Sequence, residues 1–327
     1  MTAWPSSSNG CSAELSEVGW NRSSHRRLHS AADLGQAHSS CWLSNGSGSL
    51  SLSLWLAIAA SLLIGSGEAL ASRFVHEHRS ETITTSFFIS GIAVTGLMVF
   101  LIPGTWSTRD IVLGLTSGVF NGFALLALYE GYRHVPVGVA APIVGVQAAV
   151  LPMLYSVSVD GEELTGLAGA GIVLGVLALI LVSVDPAPVQ SLRRGLTLAI
   201  IAGALYGIML TFLTKTSEAS GLWPLLPQRV VAFGVAAAFA VKVGAPILSA
   251  PGSRLPVMMV GAFGSLGAVA YVLAAQRGSI SQVAIAGAQY PAATVLFAFL
   301  LFGARIRWWQ TLGLALSAVA VSFIALG

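Results

Sequence analysis

Long apolar segments separated by short polar ones dominate the sequence from about residue 50 onward. A helix needs about 20 mostly apolar residues to cross a bilayer, so the runs without Asp, Glu, Lys or Arg are candidate spans. Eight such runs are residues 82–108, 111–129, 134–159, 164–184, 195–214, 255–276, 278–304 and 308–327. A ninth run covers 34–67, and only its part from Leu50 is apolar enough to insert. These runs alone predict nine spans.

A tenth span lies around Arg229 and Lys242, which are too close together for a charge-free crossing between them. In one arrangement Arg229 lies inside a helix that begins near Trp223. In the other, the helix begins near Arg229 and Lys242 extends its ammonium to the interface from the far end. Both arrangements give one crossing, so the sequence predicts an all-α polytopic membrane protein with ten transmembrane helices.

Residues 1–50 differ from the rest of the chain, because Ser, Asn, His and Arg dominate and no hydrophobic period is present. A secretory signal peptide has an apolar stretch after a basic start, and residues 1–11 have neither. We interpret residues 1–50 as a polar, disordered cytoplasmic tail. The alternative is a start site assigned too early, in which case this tail is not part of the native protein.

The chain contains an internal repeat, which becomes visible when residues 52–185 are aligned with residues 194–327. Residue types that are scarce in the chain coincide in this alignment, namely Tyr129 with Tyr271 and Gln147 with Gln289. The alignment needs no gap and relates all five helices of each half. It therefore indicates a duplication.

Each predicted repeat, residues 52–185 and 194–327, contains five spans. Because five is odd, the second repeat enters the membrane from the opposite side, which makes the repeats inverted. Inverted repeats are typical of secondary transporters, whose substrate site lies near the bilayer midplane between the halves. Glycines at four-residue spacing, as in Gly114, Gly118 and Gly122, predict close helix packing and no site role.

Composition agrees with a membrane protein and removes other classes. Apolar residues make up 55% of the chain and charged residues 9%, against about a quarter charged in soluble domains. The two cysteines, Cys11 and Cys41, lie outside the apolar part, so no disulfide framework organises it. The net charge of +3 is spread along the chain, which predicts no nucleic-acid partner. A phosphate-binding loop ending in Lys-Ser or Lys-Thr is absent, so no nucleotide cofactor is expected.

Several local patterns resemble one family. Tyr206-Gly207 followed by Lys215 resembles an aromatic-Gly…Lys signature in the first helix of a repeat, and Arg229 stands where the family often has an arginine. Pro291 followed by Gly303 resembles its Pro-then-Gly-Glu pattern, although Ala304 replaces the glutamate. With the duplication, these patterns resemble the EamA family of the drug/metabolite transporter superfamily over residues 52–327.

The resemblance implies a multi-pass cell-membrane transporter that moves small organic molecules such as amino acids, metabolites or drugs, often outward. It implies alternating access, both termini in the cytoplasm, no enzyme activity and no cofactor. The expected partners are the substrate, the lipid bilayer and a coupling proton. A lipid or lipid-linked-sugar flippase of the same superfamily is the alternative function.

Glu68 is the main candidate for proton coupling, because it is predicted to lie within the membrane about one turn from a helix end. The small multidrug relatives use a first-helix carboxylate, but at the position that corresponds to Gly65. Glu68 lies three residues later on roughly the same helix face. The alternative is an acid at the water boundary that forms an ion pair with Arg73.

Two amides and two tyrosines are candidates for the substrate cavity. Gln147 and Gln289 occupy equivalent mid-span positions, and an amide both donates and accepts hydrogen bonds. The alternative is bonding between helices. Tyr290 precedes the kink expected at Pro291, and Tyr206 is expected deep in its span.

Asn121 and Arg229 complete the predicted cavity. Arg229 is expected to attract an anionic group or to form a structural pair. Tyr129 and the equivalent Tyr271 are predicted to be interfacial, since tyrosine rings sit well at lipid headgroups. A local ion pair is expected between Glu130 and Arg133.

A membrane enzyme or metal site has little support in the sequence. Three histidines, His76, His78 and His134, lie in or beside the loops, without an intramembrane Ser–His or His–Asp cluster. A metal site needs convergent ligands, and two histidines in His-x-His spacing are too few. We predict no metal.

Overall fold

The computed structural model describes residues 31–161, 165–182, 189–275, 289–303 and 307–326. In these ranges the secondary structure is helical, without a strand. The chain divides into two units, Met1–Ser51 and Leu52–Gly327. The second unit contains every candidate site residue.

The described ranges form ten α-helices, numbered here in chain order. They are α1 Ala31–Phe74, α2 Ser80–Leu101, α3 Thr108–Tyr132, α4 Val137–Tyr155, α5 Gly166–Val182, α6 Val189–Thr214, α7 Leu225–Lys242, α8 Pro251–Ala275, α9 Tyr290–Phe302 and α10 Trp308–Leu326. A π-helical turn, Ser156–Asp160, follows α4, and a 3-10 turn, Glu218–Ser220, precedes α7. Helix α1 extends into the segment for which the sequence predicts disorder, and residues 1–30 of that segment lie outside the described residues.

Among the described residues, seven helices have the length and apolar composition needed to cross a membrane. They are Leu52–Phe74 of α1, α2, α3, α4 extended by the π-helical turn to Val159, Leu192–Thr214 of α6, α7, and Pro251–Ala274 of α8. Three shorter apolar segments, Gly169–Ala178, Tyr290–Phe302 and Thr311–Phe323, lie in α5, α9 and α10. The protein is therefore an integral membrane protein, with seven of the ten predicted spans at full length.

The charged residues of α7 occupy both of the predicted places. Arg229 lies in the second turn of a helix that begins at Leu225, and Lys242 is its last residue. Arg229 is buried and Lys242 is exposed. The two alternatives considered for this span are thus combined in one 18-residue helix.

Within the second unit, helices of one half pack on helices of the other half, in a pattern that the repeat explains. Helix α3 packs on α6 and α7, α2 packs on α7 and α8, and α4 packs on α6 and α9. Helix α1 packs on α8 through Gly67 and on α9 through Gly65. Adding five to each helix number converts α3–α6 into α8–α1, α4–α6 into α9–α1, and α3–α7 into α8–α2. The contacts therefore follow an approximate two-fold relation.

Glycines allow these crossings because their helices meet backbone to backbone. A Cβ atom added at Gly207 would lie 2.6 Å from Leu151 Cβ, and one added at the equivalent Gly65 would lie 2.6 Å from Ala293 Cβ. Leu151 and Ala293 are themselves equivalent positions of the two repeats. The α4–α6 and α9–α1 crossings are therefore equivalent residue by residue at these contacts.

Polar contacts at both ends show the relative direction of α3 and α6. Asp110, at the start of α3, accepts hydrogen bonds from Ser217 N at 3.1 Å and Ser220 Oγ at 2.5 Å, just beyond the end of α6. At the other end of α3, Arg194 of α6 donates to Glu130 at 3.4 Å. The two helices therefore run antiparallel.

Candidate functional site

Glu68 is buried on α1, less than two turns before the helix ends at Phe74. Glu68 is 7% exposed, and Tyr132 Oη donates a hydrogen bond to Glu68 Oε2 at 3.0 Å. Arg73 instead forms an ion pair with Glu77, at 2.7 Å between Nη2 and Oε1. In the described ranges no basic side chain forms an ion pair with Glu68. The geometry therefore differs from the alternative of a boundary acid paired with Arg73.

A chain of aromatic rings leads from Glu68 to Arg229, and we call Tyr132, Tyr129 and Phe87 the aromatic chain. The ring centroids of Tyr132 and Tyr129 are 6.1 Å apart, and those of Tyr129 and Phe87 are 6.4 Å apart. Arg229 Cζ lies over the Phe87 ring at 5.5 Å, which is cation–π geometry. The aromatic chain therefore connects a buried acid with a buried base.

Arg229 and Phe87 are equivalent positions of the two repeats, since the alignment of residues 52–185 with 194–327 places one on the other. They meet where α2 crosses α7, a contact that the two-fold relation converts into itself. The guanidinium and the ring therefore lie close to the approximate symmetry axis. A position that the duplication made identical now carries a cation in one repeat and its aromatic partner in the other.

Two more tyrosines belong to this region. Glu68 interacts electrostatically with Tyr206 and with Tyr290, and Tyr206 also interacts with Arg229. Both tyrosines are half-buried, whereas Tyr129 and Tyr132 are buried. Four of the predicted residues, Glu68, Tyr206, Tyr290 and Arg229, thus belong to one electrostatically connected group.

Of the two glutamines, one lies at a helix crossing and the other at the start of a helix. Gln147 Nε2 donates to the carbonyl of Ile143 at 3.3 Å, within its own helix, and its side chain lies against Gly203 of α6. Gln289 is half-buried immediately before α9. Gln147 therefore lies at the α4–α6 crossing, and the role of both amides in a cavity stays a prediction.

Asn121 is 3% exposed on α3. It lies between Gly118 and Gly122, which pack on Gln228 and Val235 of α7. Its cavity role also stays a prediction, because the described contacts do not connect it to the aromatic chain.

The Tyr129 ring does not face the lipid headgroups, contrary to the expectation from the sequence. Its side chain is fully buried and its hydroxyl has no hydrogen-bond partner in the described part of the chain. The charge-free run ends at Tyr129, but α3 continues to Tyr132 because Glu130 is accommodated by polar neighbours. Glu130 accepts from Ser80 at 2.9 Å and contacts His134 at 3.3 Å and Arg194 at 3.4 Å.

Tyr132 was missed by the sequence analysis. Its spacing of three residues from Tyr129 places both rings on one face of α3, and this pattern could have indicated it. Its contact with Glu68 joins positions that are 64 residues apart in sequence, and no local pattern predicts such a contact. The predicted pair of Glu130 and Arg133 is present at 3.7 Å.

The loop histidines His76 and His134 lie beside charged residues. Partial burial and the charges of Arg133 and Arg73 lower the pKa of His76 from its ordinary value. His134 Nε2 lies 3.3 Å from Glu130 Oε1. The described residues contain no group of three His, Cys, Asp or Glu that could hold a metal ion.

Sequence comparison identifies the family of this arrangement. Residues 51–184 and residues 193–326 each match the EamA-like transporter family. The chain belongs to the EamA-like transporter family. Two matches in tandem show the two-repeat architecture of EamA transporters, whose members are transporters rather than enzymes. The comparison with curated proteins found no match.

The fold agrees with this assignment. One solved crystal structure superposes with a TM-score of 0.56 over 85% of this chain and 97% of its own, at 19% sequence identity. At this identity the likeness shows a shared fold alone. The EamA chain is thus similar in fold to that protein over nearly the whole of that protein's length.

Proposed function

We propose that this EamA protein is a secondary active transporter of the cell membrane that exports small organic metabolites, such as amino acids or drugs, by alternating access. Its halves are the predicted repeats, residues 52–185 and 194–327, with residues 1–50 as a tail. All ten helices cross the membrane in this proposal, including the shorter α5, α9 and α10. The antiparallel course of α3 and α6 supports the inverted relation of the repeats.

The observation that carries the proposal is a buried acid without a basic partner, among the described residues, between the halves. Glu68 of the first repeat interacts electrostatically with Tyr206 and Tyr290 of the second, and its one described hydrogen bond comes from Tyr132. A buried carboxyl group in a membrane protein faces a cavity or a partner and marks an ion or substrate path. We assign proton coupling to Glu68 and substrate contact to Tyr206, Tyr290 and Arg229.

We also assign the other predicted cavity residues, Gln147, Gln289 and Asn121, to the lining of the substrate cavity. Helix α4 is suited to bend during transport. Pro142 and Pro152 interrupt its backbone hydrogen bonding on both sides of Gln147. A helix with missing backbone bonds bends at lower cost than an ideal one.

Reconstituted liposomes with an imposed pH gradient test the proposal. The measured quantity is flux of a mixed panel of amino acids, sugars and cationic drugs, for the unmodified protein, Glu68→Gln and the control Glu77→Gln. Glu77 is an acid further along the same segment, in an exposed ion pair. We expect gradient-driven flux that Glu68→Gln abolishes and Glu77→Gln retains.

Two outcomes would contradict parts of this assignment. Equal flux in Glu68→Gln and the unmodified protein would remove the coupling role from Glu68. Absence of flux for every compound would contradict the small-molecule cargo, and a fluorescent lipid assay would then test the flippase alternative.

A further inference from the structure

Arg229 is a buried cation whose charge no described acid balances. Its residue is 6% exposed, and its Nε has no hydrogen-bond partner in the part of the chain that the structure describes. The buried acids in that part have other partners, since Glu68 binds Tyr132 and Asp110 binds Ser217 and Ser220. An unpaired charge in a low-dielectric interior is costly. This cost calls for an anionic partner.

Two residues of α2, Phe87 and Gly91, border Arg229. Phe87 covers one face at 5.5 Å. On another side is Gly91, where an added Cβ would lie 3.5 Å from Arg229 Cδ and 3.8 Å from Nε. The absence of a side chain at Gly91 therefore keeps the space beside Nε free of a side chain from this position of α2.

A second unpartnered polar group borders the same space. The Cβ position at Gly91 is 2.8 Å from Ser265 Oγ, so Ser265 of α8 and Arg229 of α7 flank the same glycine. Ser265 is fully buried, and its hydroxyl has no described hydrogen-bond partner. A hydroxyl and a guanidinium N–H that flank one glycine, both without a described partner, are two donors from which an oxyanion can accept.

The guanidinium group of Arg229 restricts the chemical class of the ligand. A guanidinium presents donors in a planar fork that matches the oxygens of a carboxylate or a phosphate, and it stays charged under all ordinary conditions. Packing at the crossing of α2 and α7 can use apolar side chains, as Phe87 of α2 does. The cation thus adds something that helix packing does not need.

Resting on the transport function proposed above, we infer that Arg229 and Ser265 bind an oxyanion of the cargo, a carboxylate or a phosphate. The transported molecule then carries its negative group at the α2–α7–α8 junction. Glu68, at the far end of the aromatic chain, is held by Tyr132 and does not occupy this subsite. The inference deepens the proposed function by giving the cargo a required negative group.

Anion binding can be measured without transport. The purified protein in neutral detergent is titrated with acetate, inorganic phosphate or ethylammonium at constant ionic strength, and the thermal unfolding midpoint is recorded. We expect acetate or phosphate, but not ethylammonium, to raise the midpoint with saturation. The larger of the two anion responses distinguishes a carboxylate from a phosphate.

Variants then assign the binding to the subsite. We expect Arg229→Gln to raise the apparent Kd of the anion about tenfold to a hundredfold, the worth of hydrogen bonds to a charged group. Lys242→Gln, which removes a cation from the exposed end of the same helix, is the matched control and should retain binding. Ser265→Ala and Arg229→Lys change the subsite least, and each should weaken anion binding several-fold. These two variants replace Arg229→Gln in the test if Arg229→Gln does not fold.

Two results would overturn the inference. One is an unfolding midpoint that neither anion raises in the unmodified protein. The other is a full anion response in Arg229→Gln, or in both milder variants. Because this assay needs no flux, its failure leaves the transport proposal standing, and a failure of flux with intact anion binding contradicts the transport proposal alone.

Discussion

Helices α3 and α6 make the same crossing as helices α8 and α1, but the α3–α6 crossing carries acidic residues at both of its ends. Asp110 binds Ser217 and Ser220 at one end, and Glu130 binds Arg194 at the other. The equivalents of the two acids in the second repeat are Gly252 and Val272. Duplication thus preserved the backbone approach of the helices, while later divergence removed or added the polar contacts at the ends.

The difference indicates that the two crossings hold their helices by different means. Helix α1, which carries Glu68, packs on α8 through Gly67, where an added Cβ would be 2.9 Å from the Val260 carbonyl oxygen. Packing of small residues acts along the crossing, whereas the polar contacts of α3 and α6 act at its ends. We expect Gly65 and Gly207, the equivalent glycines at which α1 meets α9 and α6 meets α4, to be equally important, and the polar residues at the ends of α3 to have effects without equivalents.

The largest effect is expected from filling the equivalent glycines. Gly207→Val and Gly65→Val each force a side chain into a space with 2.6 Å to the opposite Cβ, and overpacking of this kind costs about 1–3 kcal/mol. The thermal unfolding midpoint in detergent should fall by similar amounts in both variants. Gly234→Val is the control, because an added Cβ there meets no atom within 4 Å. A fall in only one of the two variants would contradict the equivalence of the α4–α6 and α9–α1 crossings.

A smaller effect is expected from Asp110→Ala, which leaves Ser217 N and Ser220 Oγ without their acceptor. Hydrogen bonds to a charged group are worth about 1.5–3 kcal/mol, and water at the helix end replaces part of this. The unfolding midpoint should therefore fall less than in the glycine variants. Gly252→Ala at the equivalent position should change it little, since an added Cβ there meets open space. Equal midpoints for Asp110→Ala and the unmodified protein would show that this end contact does not stabilise the crossing.

The smallest effect is expected from Arg194→Gln at the opposite end of α3. The Arg194 side chain is 64% exposed and its nitrogen is 3.4 Å from Glu130, and exposed ion pairs contribute about 0–1 kcal/mol. The unfolding midpoint should change by no more than the spread between repeat measurements. A drop as large as that of Asp110→Ala would show that Glu130 depends on Arg194 more than on Ser80 and His134.

Much of the fold was predictable because a bilayer imposes strong local rules. Charge-free runs of about 20 residues identify spans without reference to any tertiary contact, and seven of the predicted spans are present at full length. The repeat was equally accessible, since the alignment of residues 52–185 with 194–327 is a property of the sequence alone. The EamA assignment followed from the same two features.

The site was less predictable, and Tyr129 shows why. In the sequence it is the last residue before a charge, which is the usual pattern of an interfacial tyrosine. In the structure Glu130 is bound by Ser80, His134 and Arg194, from α2, the loop after α3, and α6. These contacts, two of them long-range, bind the Glu130 carboxylate next to Tyr129, which is buried in the aromatic chain.

The sequence by itself determined that the protein is a helical membrane protein built from two related halves, because hydrophobic length and internal repetition are local or linear properties. It also indicated Glu68 and Arg229, since ionisable residues inside apolar runs are rare. Only the tertiary structure decided that Tyr132 binds Glu68 and that Phe87 faces Arg229. Each of those contacts joins helices far apart in sequence, and helix packing rather than residue type determines which side chains meet.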